Sequence, residues 1–423
     1  MVFTILVFII VISICFYSPY RGLVVLLNIN LIRNLQSINL ENPCLKCVGE
    51  QDIILGGVLQ SLGLFIIFIK VSIKEKTSYR FDFVDSFLLI TFLLLILTSI
   101  ISIEPTEGLL YSSKYLLLGV PYFFVTKTFF MNENDFEKLL LKTLSFAVDF
   151  ALAFGIIAGL VVIITGYQEP YAAYGVVMRL TIQGVHPIPF AQTIGFGLFS
   201  AIYLVITKRK KNSSILFIKT VILSIILLFT NTRGVLVSLL LSGVISALFY
   251  IETPKLSKKA VVIGFSTIVI LISMVVFFID VESILGRFYS DDLAFESILL
   301  RFDSFFESFR IFSQHIYTGI GPTSFPRYSE LPYPHNFFLE YIVFFGIWGI
   351  LLSFYFIVFI VEIFSTTVKN ANSKLYVFLF AVFLFYFLET QVSFTLWTHK
   401  GLYFSLGILM AFYNIKLRRV NKA

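Results

Sequence analysis

Long apolar runs separated by short polar loops make up most of the chain. A helix of about 17 to 25 apolar residues is long enough to cross the hydrocarbon core of a bilayer. We therefore predict an all-α polytopic membrane protein with about twelve transmembrane helices. The predicted spans are 2–17, 52–70, 84–103, 109–129, 142–166, 187–207, 214–230, 232–250, 260–279, 336–364, 373–391 and 396–416.

These spans divide the chain into three regions. Residues 1–279 hold spans one to nine with short loops, 280–335 form one large loop, and 336–423 hold the last three spans and a tail. The segment RGLVVLLNINLI (21–32) is too short and too polar to assign as a span, and a position along the interface is left open. Residues 1–18 lack a basic start and a small-residue cleavage site, so they are interpreted as a retained span.

The composition supports the membrane interpretation. Hydrophobic residues make up 58% of the 423 residues and charged residues 13%, about half the share usual in soluble domains. Most of the net charge of +7 lies in short loops, so it does not indicate nucleic-acid binding. Of the three cysteines, Cys44 and Cys47 form a CxxC, which we interpret as incidental thiols or a local disulfide because no βαβ context is predicted around it.

The distribution of lysine and arginine predicts the orientation. The basic segments are 70–80, 127–142, 207–214, 255–259 and 416–422. With twelve spans they all fall on one side together with both termini, and the positive-inside rule assigns that side to the cytoplasm. Adding 21–32 as a complete span would put the first half out of phase. The loops predicted to face outward are 104–108, 167–186, 231–233, 280–335 and 392–396.

The large loop is predicted to be extracytoplasmic and to contain an amphipathic helix at 291–313. Acidic residues crowd its start, where the helix dipole favours negative charge. TGIGP (318–322) cannot continue a helix and should end it. The apolar residues recur at steps of three and four, the spacing of one helix face; they are Phe295, Ile298, Leu299, Phe302, Phe305, Phe306, Phe309 and Phe312.

A histidine lies at the predicted outer end of span ten, in LPYPHNFFLEYIVFFGIWG (331–349). The two prolines before His335 prevent a helical approach, so a helix should start at or just after it. The imidazole of His335 is a candidate general base. The neighbouring Asn336 could hydrogen-bond a sugar hydroxyl, and Glu340, about one turn deeper, is a further candidate contact for the acceptor or the sugars. A carboxylate at that depth is costly unless it is paired or lines a wet cavity. In the alternative interpretation, His335 only caps the helix and anchors it at the interface.

Three arginines lie on the predicted outer face, contrary to the positive-inside rule. They are Arg179, Arg233 and Arg301, and His186 lies near the first of them as a second polar contact. A guanidinium group is suited to phosphate oxygens, so three of them together with a histidine favour a pyrophosphate site. Snorkelling to the headgroup region is the alternative for each arginine. No metal-ligand spacing or nucleotide-binding motif is seen, so no metal or cofactor is expected and the substrate must carry the energy.

These motifs resemble those of the bacterial O-antigen ligase and polymerase superfamily. GIGPTSF (319–325) followed by PHNFFLEYIVFFGIWG (334–349) matches the family pattern of His-Asn, nine residues, Gly, two residues, Gly. TNTRGVLVSLLL (230–241) resembles the family's Thr-x-Ser-Arg-Gly motif with Thr232 in place of serine, and RLTIQGVHPIPFA (179–191) resembles the preceding outer loop.

The resemblance implies a metal-independent, inverting glycosyl transfer at the outer face of the inner membrane. The donor would be a glycan on undecaprenyl pyrophosphate. His335 would deprotonate or orient the acceptor hydroxyl, while Arg233, Arg179 and Arg301 would bind the pyrophosphate. A chain-length regulator and a flippase are further expected partners. We favour a polymerase, whose acceptor is another lipid-linked repeat unit, over a ligase, whose acceptor is the lipid A core.

A lipid-linked oligosaccharide flippase or other transporter is the third alternative. Transporters show internal repeats and broken helices at the midplane. The chain has no clear repeat, and its polar residues gather at the outer rim. This distribution favours an enzyme.

Overall fold

The structure is a computed structural model that describes residues 2–37, 50–74, 79–132, 135–165, 169–170, 178–181, 185–207, 213–251, 293–370, 373–393 and 395–420. The predicted span 260–279 and the CxxC at 44–47 lie outside these residues. The α-helices, in chain order, are α1 (Val2–Tyr17), α2 (Pro19–Leu27), α3 (Ile29–Arg33), α4 (Glu50–Lys74), α5 (Phe83–Ile100), α6 (Pro105–Lys114), α7 (Pro121–Met131), α8 (Phe136–Thr165), α9 (Pro187–Thr207), α10 (Ser213–Phe229), α11 (Arg233–Ile251), α12 (Leu293–Gln314), α13 (Phe337–Phe345), α14 (Ile347–Lys369), α15 (Lys374–Glu389) and α16 (Lys400–Val420).

The predominantly helical fold is confirmed. Within the described residues, five helices are long and apolar enough to cross a membrane: α4 (over Gly56–Ile73), α5, α8, α9 and α14. At 1.5 Å per residue, even the 18-residue α5 reaches about 27 Å, close to the thickness of the hydrocarbon core. α1, α10 and α11 are apolar but shorter. The count of twelve spans stays a prediction.

The chain divides into two compact units. The first comprises Met1–Lys76 and Asn132–Tyr289, and the second comprises Thr77–Met131 and Ser290–Ala423. In the first unit, α9 packs against α8 and α10, and α2 packs against α1, α4 and α8. The segment 21–32, which the sequence left unassigned, forms α2 and α3, and residues 22–26 are buried among these helices.

Among the described residues, strands are limited to one short antiparallel pair in the first unit. β1 (Glu169–Pro170) pairs with β2 (Met178–Arg179), with Glu169 opposite Arg179. The pair lies in the segment that the sequence predicted as the outward loop between spans five and six.

One of the predicted spans contains a π-helical turn, and another is broken into two helices, which corrects the sequence prediction. The predicted span 109–129 passes from α6 through a π-helical turn, Tyr115–Gly119, into α7 at Pro121. The predicted span 336–364 breaks at Gly346 between α13 and α14. Gly346 has φ of +60°, which lies outside the helical region, so the helix predicted from the apolar run is interrupted there. A residue with a side chain would be strained in this conformation.

In the second unit α7 packs along α16, and a buried charge cluster lies at the start of α5. Lys127 is fully enclosed, with its Nζ 2.7 Å from Asp82 Oδ2 and also paired with Asp85. The Tyr79 hydroxyl donates to Asp85, and Asn414 Nδ2 donates to Asp82 Oδ2 at 3.0 Å. We call these five residues the Lys127 cluster. It explains how a lysine is accommodated within an apolar helix, since a buried charge is tolerated when it is paired.

Candidate functional site

His335 lies in a turn immediately before α13. Its φ is +57°, the left-handed region that non-glycine residues rarely adopt. The imidazole is half-buried, and its ring centroid lies 4.2 Å from that of Tyr333. Such backbone conformations cost about 1–3 kcal/mol and persist where the surrounding structure imposes them, often at functional sites. The turn therefore places His335 immediately before the first turn of α13, as the two prolines before it predicted.

Asn336, rather than His335, caps the helix. Asn336 Oδ1 accepts hydrogen bonds from the backbone N–H groups of Phe338 at 3.0 Å and Leu339 at 3.1 Å. Its Nδ2 donates to the backbone oxygen of Gln391 at 3.3 Å and to Gln391 Oε1 at 3.2 Å. Both ends of the amide are thus engaged within the protein. The alternative in which His335 caps α13 is removed, because the side-chain cap comes from the next residue.

Glu340 is completely enclosed, with no exposed surface. Its Oε2 accepts a hydrogen bond from the backbone N–H of Leu396 at 2.9 Å. Within the described residues, its Oε1 has no hydrogen-bond partner, and the carboxylate has no salt bridge. The side chain is directed into the protein, toward the segment that precedes α16.

The glycines of the motif let three backbone segments pack closely around the α13–α14 break. The N–H groups of Ile320 and Gly321 donate to the carbonyls of Val343 at 3.0 Å and Phe344 at 3.2 Å. A Cβ on Gly346 would lie 2.3 Å from the carbonyl oxygen of Ile316, and one on Gly349 would lie 1.8 Å from that of Tyr341. The spacing His-Asn, nine residues, Gly, two residues, Gly therefore has a packing cause, since no side chain fits at either glycine.

Helix α12 supports the turn before His335. The hydroxyl of Ser304 donates to the carbonyl of Pro334 at 3.3 Å. Ser304, Ser308 and Ile311 are buried. The phenylalanines at 302, 305, 306 and 309 are exposed, as an apolar face in contact with lipid would be. The predicted helix 291–313 is thus observed from Leu293 to Gln314, with 291 and 292 outside the described residues; the backbone of Arg301 lies in it.

In the first unit the backbone segments that carry two of the arginines meet. Arg233 is the first residue of α11 and follows a tight turn in which Asn231 has φ of +53°. The N–H of Leu180, next to Arg179 on β2, donates to the carbonyl of Phe229 at 3.0 Å, and Phe229 is the last residue of α10. The backbone segment that carries Arg179 is therefore bonded to the end of α10, four residues before Arg233, and the convergence of the arginine side chains stays a prediction.

His186 lies exposed at the start of α9. Its Nδ1 accepts a hydrogen bond from the backbone N–H of Ile188 at 3.3 Å. His186, Arg179 and Arg233 belong to the first unit, whereas His335, Asn336, Glu340 and Arg301 belong to the second. The meeting of all seven residues at one substrate stays a prediction.

The sequence did not indicate a role for the segment 390–399, of which residues 392–396 were predicted to be a short outward loop. The N–H of Phe337 donates to the carbonyl of Thr390 at 3.0 Å, so the segment begins beside the His335 turn. It continues into a 3₁₀ turn, Leu396–Thr398, whose capping box is formed by Thr395 and Thr398. The pair of threonines three residues apart was the signal available in the sequence. In the described part of the chain, no group of three or more metal-ligating side chains is gathered.

Residues 218–354 match a family model described as O-antigen ligase, about a third of the chain. No curated protein matches the chain. The matched segment runs from α10 into α14 and contains Arg233, Arg301, His335, Asn336 and Glu340, whereas Arg179 and His186 lie before it. The apolar helices and this match indicate a protein of the inner membrane. The resemblance of residues 218–354 to the O-antigen ligase and polymerase superfamily is thus confirmed.

Proposed function

We propose that the protein is a polysaccharide polymerase of the inner membrane. It transfers a glycan from undecaprenyl pyrophosphate onto another lipid-linked repeat unit at the outer face. The observation that carries the proposal is the family match over 218–354, within which the structure has a histidine in a left-handed turn at the start of a capped helix. A strained, half-buried histidine beside a segment shaped by glycines suits a residue that must present one ring nitrogen to an acceptor.

In the proposed reaction His335 accepts the proton of the acceptor hydroxyl. The hydroxyl oxygen attacks the anomeric carbon from the side opposite the pyrophosphate, so the configuration inverts. The bond between the anomeric carbon and the pyrophosphate oxygen breaks, and undecaprenyl pyrophosphate leaves with the electron pair. Arg233, Arg179 and Arg301 stabilise the negative charge that grows on the leaving group. His186 contacts the sugars, whereas the amide of Asn336 is occupied in capping α13 and in bonding Gln391, and no metal takes part.

The proposed topology follows from the basic loops. Twelve spans leave both termini in the cytoplasm and the 280–335 segment outside. The exposed phenylalanines of α12 support a position of this helix at the membrane interface, where it forms a wall of the donor site. The donor lipid, the surrounding membrane lipids, a chain-length regulator and a flippase are the proposed partners.

A ligase is the second candidate, because the matching family model is described as O-antigen ligase. The same chemistry would then use a hydroxyl of the lipid A core as acceptor. The two functions differ only in the acceptor that the site admits.

Purified full-length protein in nanodiscs tests the proposal. A labelled repeat unit on undecaprenyl pyrophosphate is supplied alone or with lipid A core, and the products are separated on gels. A ladder from the donor alone supports the polymerase, and transfer only to the core supports the ligase. No glycosidic product with either acceptor would reject both. Arg233→Ala should remove the product, while Arg233→Lys should retain a small part of it, because a lysine keeps the charge and loses the planar fork.

A further inference from the structure

The 3₁₀ turn at 396–398 is a non-helical segment buried inside the second unit. Leu396 is completely enclosed, so its backbone N–H and carbonyl must both find partners within the protein. The N–H donates to Glu340 Oε2 at 2.9 Å, and the carbonyl accepts from the Tyr403 hydroxyl at 2.8 Å. Thr395 and Tyr111 form a hydroxyl–hydroxyl hydrogen bond beside it. The turn is thus held by side chains from three different helices.

Only one of these three side chains belongs to the helix that His335 precedes. Glu340 lies on α13, whereas Tyr403 lies on α16 and Tyr111 on α6. At its other end the same segment is attached to the start of α13 through Thr390 and Gln391, which bond Phe337 and Asn336. The 390–399 segment is therefore tied to α13 at two levels about one helical turn apart. The second level depends on the carboxylate.

A carboxylate is a costly choice for this task. Burial of a carboxyl group without a counter-charge is unfavourable in either protonation state, because the charged form loses its hydration and the neutral form leaves a polar oxygen without a partner; an amide oxygen could accept the same hydrogen bond. Glu340 has no exposed surface and no salt bridge within the described residues. Such cost close to a proposed reaction centre indicates a positional role rather than a contribution to stability.

We propose that Glu340 is a positioning residue of the active site. Its side chain holds the 395–398 turn against α13, and this sets the distance between His335 and the 390–399 segment, which forms one side of the acceptor site. The inference rests on the proposed glycosyl transfer for its functional part. Its structural part, the attachment of the turn, stands without it.

Trp397 provides a direct readout of the attachment, since it lies in the turn and the chain has only one other tryptophan, Trp348. In full-length protein carrying Trp348→Phe, quenching of Trp397 by acrylamide reports the exposure of the turn. We expect Glu340→Met, which is similar in size and lacks an acceptor oxygen, to raise the quenching constant severalfold. Glu340→Gln should leave it near the parent value. Equal quenching in the parent and the Met variant would overturn the attachment.

Transfer kinetics with the labelled donor test the positional role in the same three proteins. Glu340→Met should lower kcat on the order of tenfold to a hundredfold, because small displacements of reacting groups have effects of this size. Glu340→Gln should restore most of the rate. Tyr403→Phe is the matched control, since it removes the other partner of the Leu396 backbone and leaves the link to α13 intact; its kcat should stay near the parent value.

The remaining outcomes are also decisive. If Glu340→Met exposes Trp397 but transfers at the parent rate, the positional role is wrong. If Glu340→Gln is as slow as the Met variant, the carboxylate does more than accept one hydrogen bond, and the proposal is again overturned. If the parent itself shows no transfer, the proposed function fails, while the quenching measurement still decides whether Glu340 attaches the turn.

Discussion

Two groups of acidic side chains inside the second unit differ in their charge and hydrogen-bond partners. In the Lys127 cluster, one enclosed ammonium group serves two carboxylates, and Tyr79 and Asn414 donate further hydrogen bonds to them. Glu340 is equally enclosed, yet within the described residues no cation pairs with it, and its Oε2 accepts a hydrogen bond from the backbone N–H of Leu396. The difference shows that this fold can pair a buried charge when stability requires it. The arrangement around Glu340 is therefore better explained by its place five residues from His335.

The largest expected effect distinguishes the reaction centre from the rest of the unit. His335→Ala should lower the transfer rate by about 10² to 10⁴, because it removes the proposed general base. Thermal unfolding should change little or shift slightly downward, since the left-handed backbone suits alanine no better than histidine. His315→Ala is the matched control, because it removes a second half-buried histidine of the same unit. Equal losses in the two variants would remove His335 from the mechanism.

Removal of the Lys127 ammonium group tests the stabilising role of the Lys127 cluster. Lys127→Met leaves the enclosed Asp85 and the partly exposed Asp82 without their counter-charge, and should reduce the free energy of unfolding by about 3–5 kcal/mol. The transfer rate per folded molecule should stay near the parent value. Asp85→Asn added to this variant should recover part of the stability, since it removes one of the two unpaired charges. A loss of transfer rate larger than the loss of folded protein would contradict this prediction, because it would show that the Lys127 cluster also affects the reaction.

A smaller effect is expected at the helix cap. Asn336→Ala removes the acceptor for two backbone N–H groups and should lower the free energy of unfolding by about 1 kcal/mol. Asn336→Asp retains the acceptor and loses the amide N–H that bonds Gln391. Because both hydrogen bonds from Nδ2 to Gln391 are lost while the cap is kept, the Asp variant should unfold between the Ala variant and the parent. Lower transfer per folded molecule in the Asp variant would assign function to the Gln391 contact.

The smallest effect is expected at an exposed ion pair of the second unit. Arg327 pairs with Glu104, and both side chains are largely exposed. Exposed pairs contribute about 0–1 kcal/mol, so Arg327→Ala should change the unfolding temperature by little. A double-mutant cycle with Glu104→Ala measures the coupling. A coupling well above 1 kcal/mol would show that exposure is a poor guide to the strength of charge pairs in this unit.

Local patterns in the sequence predicted much of this architecture. The helical class follows from the length of the apolar runs. The end of α12 was predicted to within one residue, because its periodicity and the TGIGP stop are local signals, whereas its predicted start at 291 lies outside the described residues. The turn at His335 was predicted from the prolines beside it. The role of Gly346 and Gly349 was seen only in part, since their spacing was recognised and the clash that excludes a side chain was not.

The sequence by itself determined the helical, membrane-embedded class of the protein and the family motif around His335. Only the tertiary structure decided the break at Gly346, the capping by Asn336, the burial of Glu340 and its bond to Leu396. The physical reason is separation along the chain: Glu340 and Leu396 are 56 positions apart, and Asn336 and Gln391 are 55 apart. Periodicity and turn chemistry act over a few residues, whereas these contacts exist only when distant helices pack together.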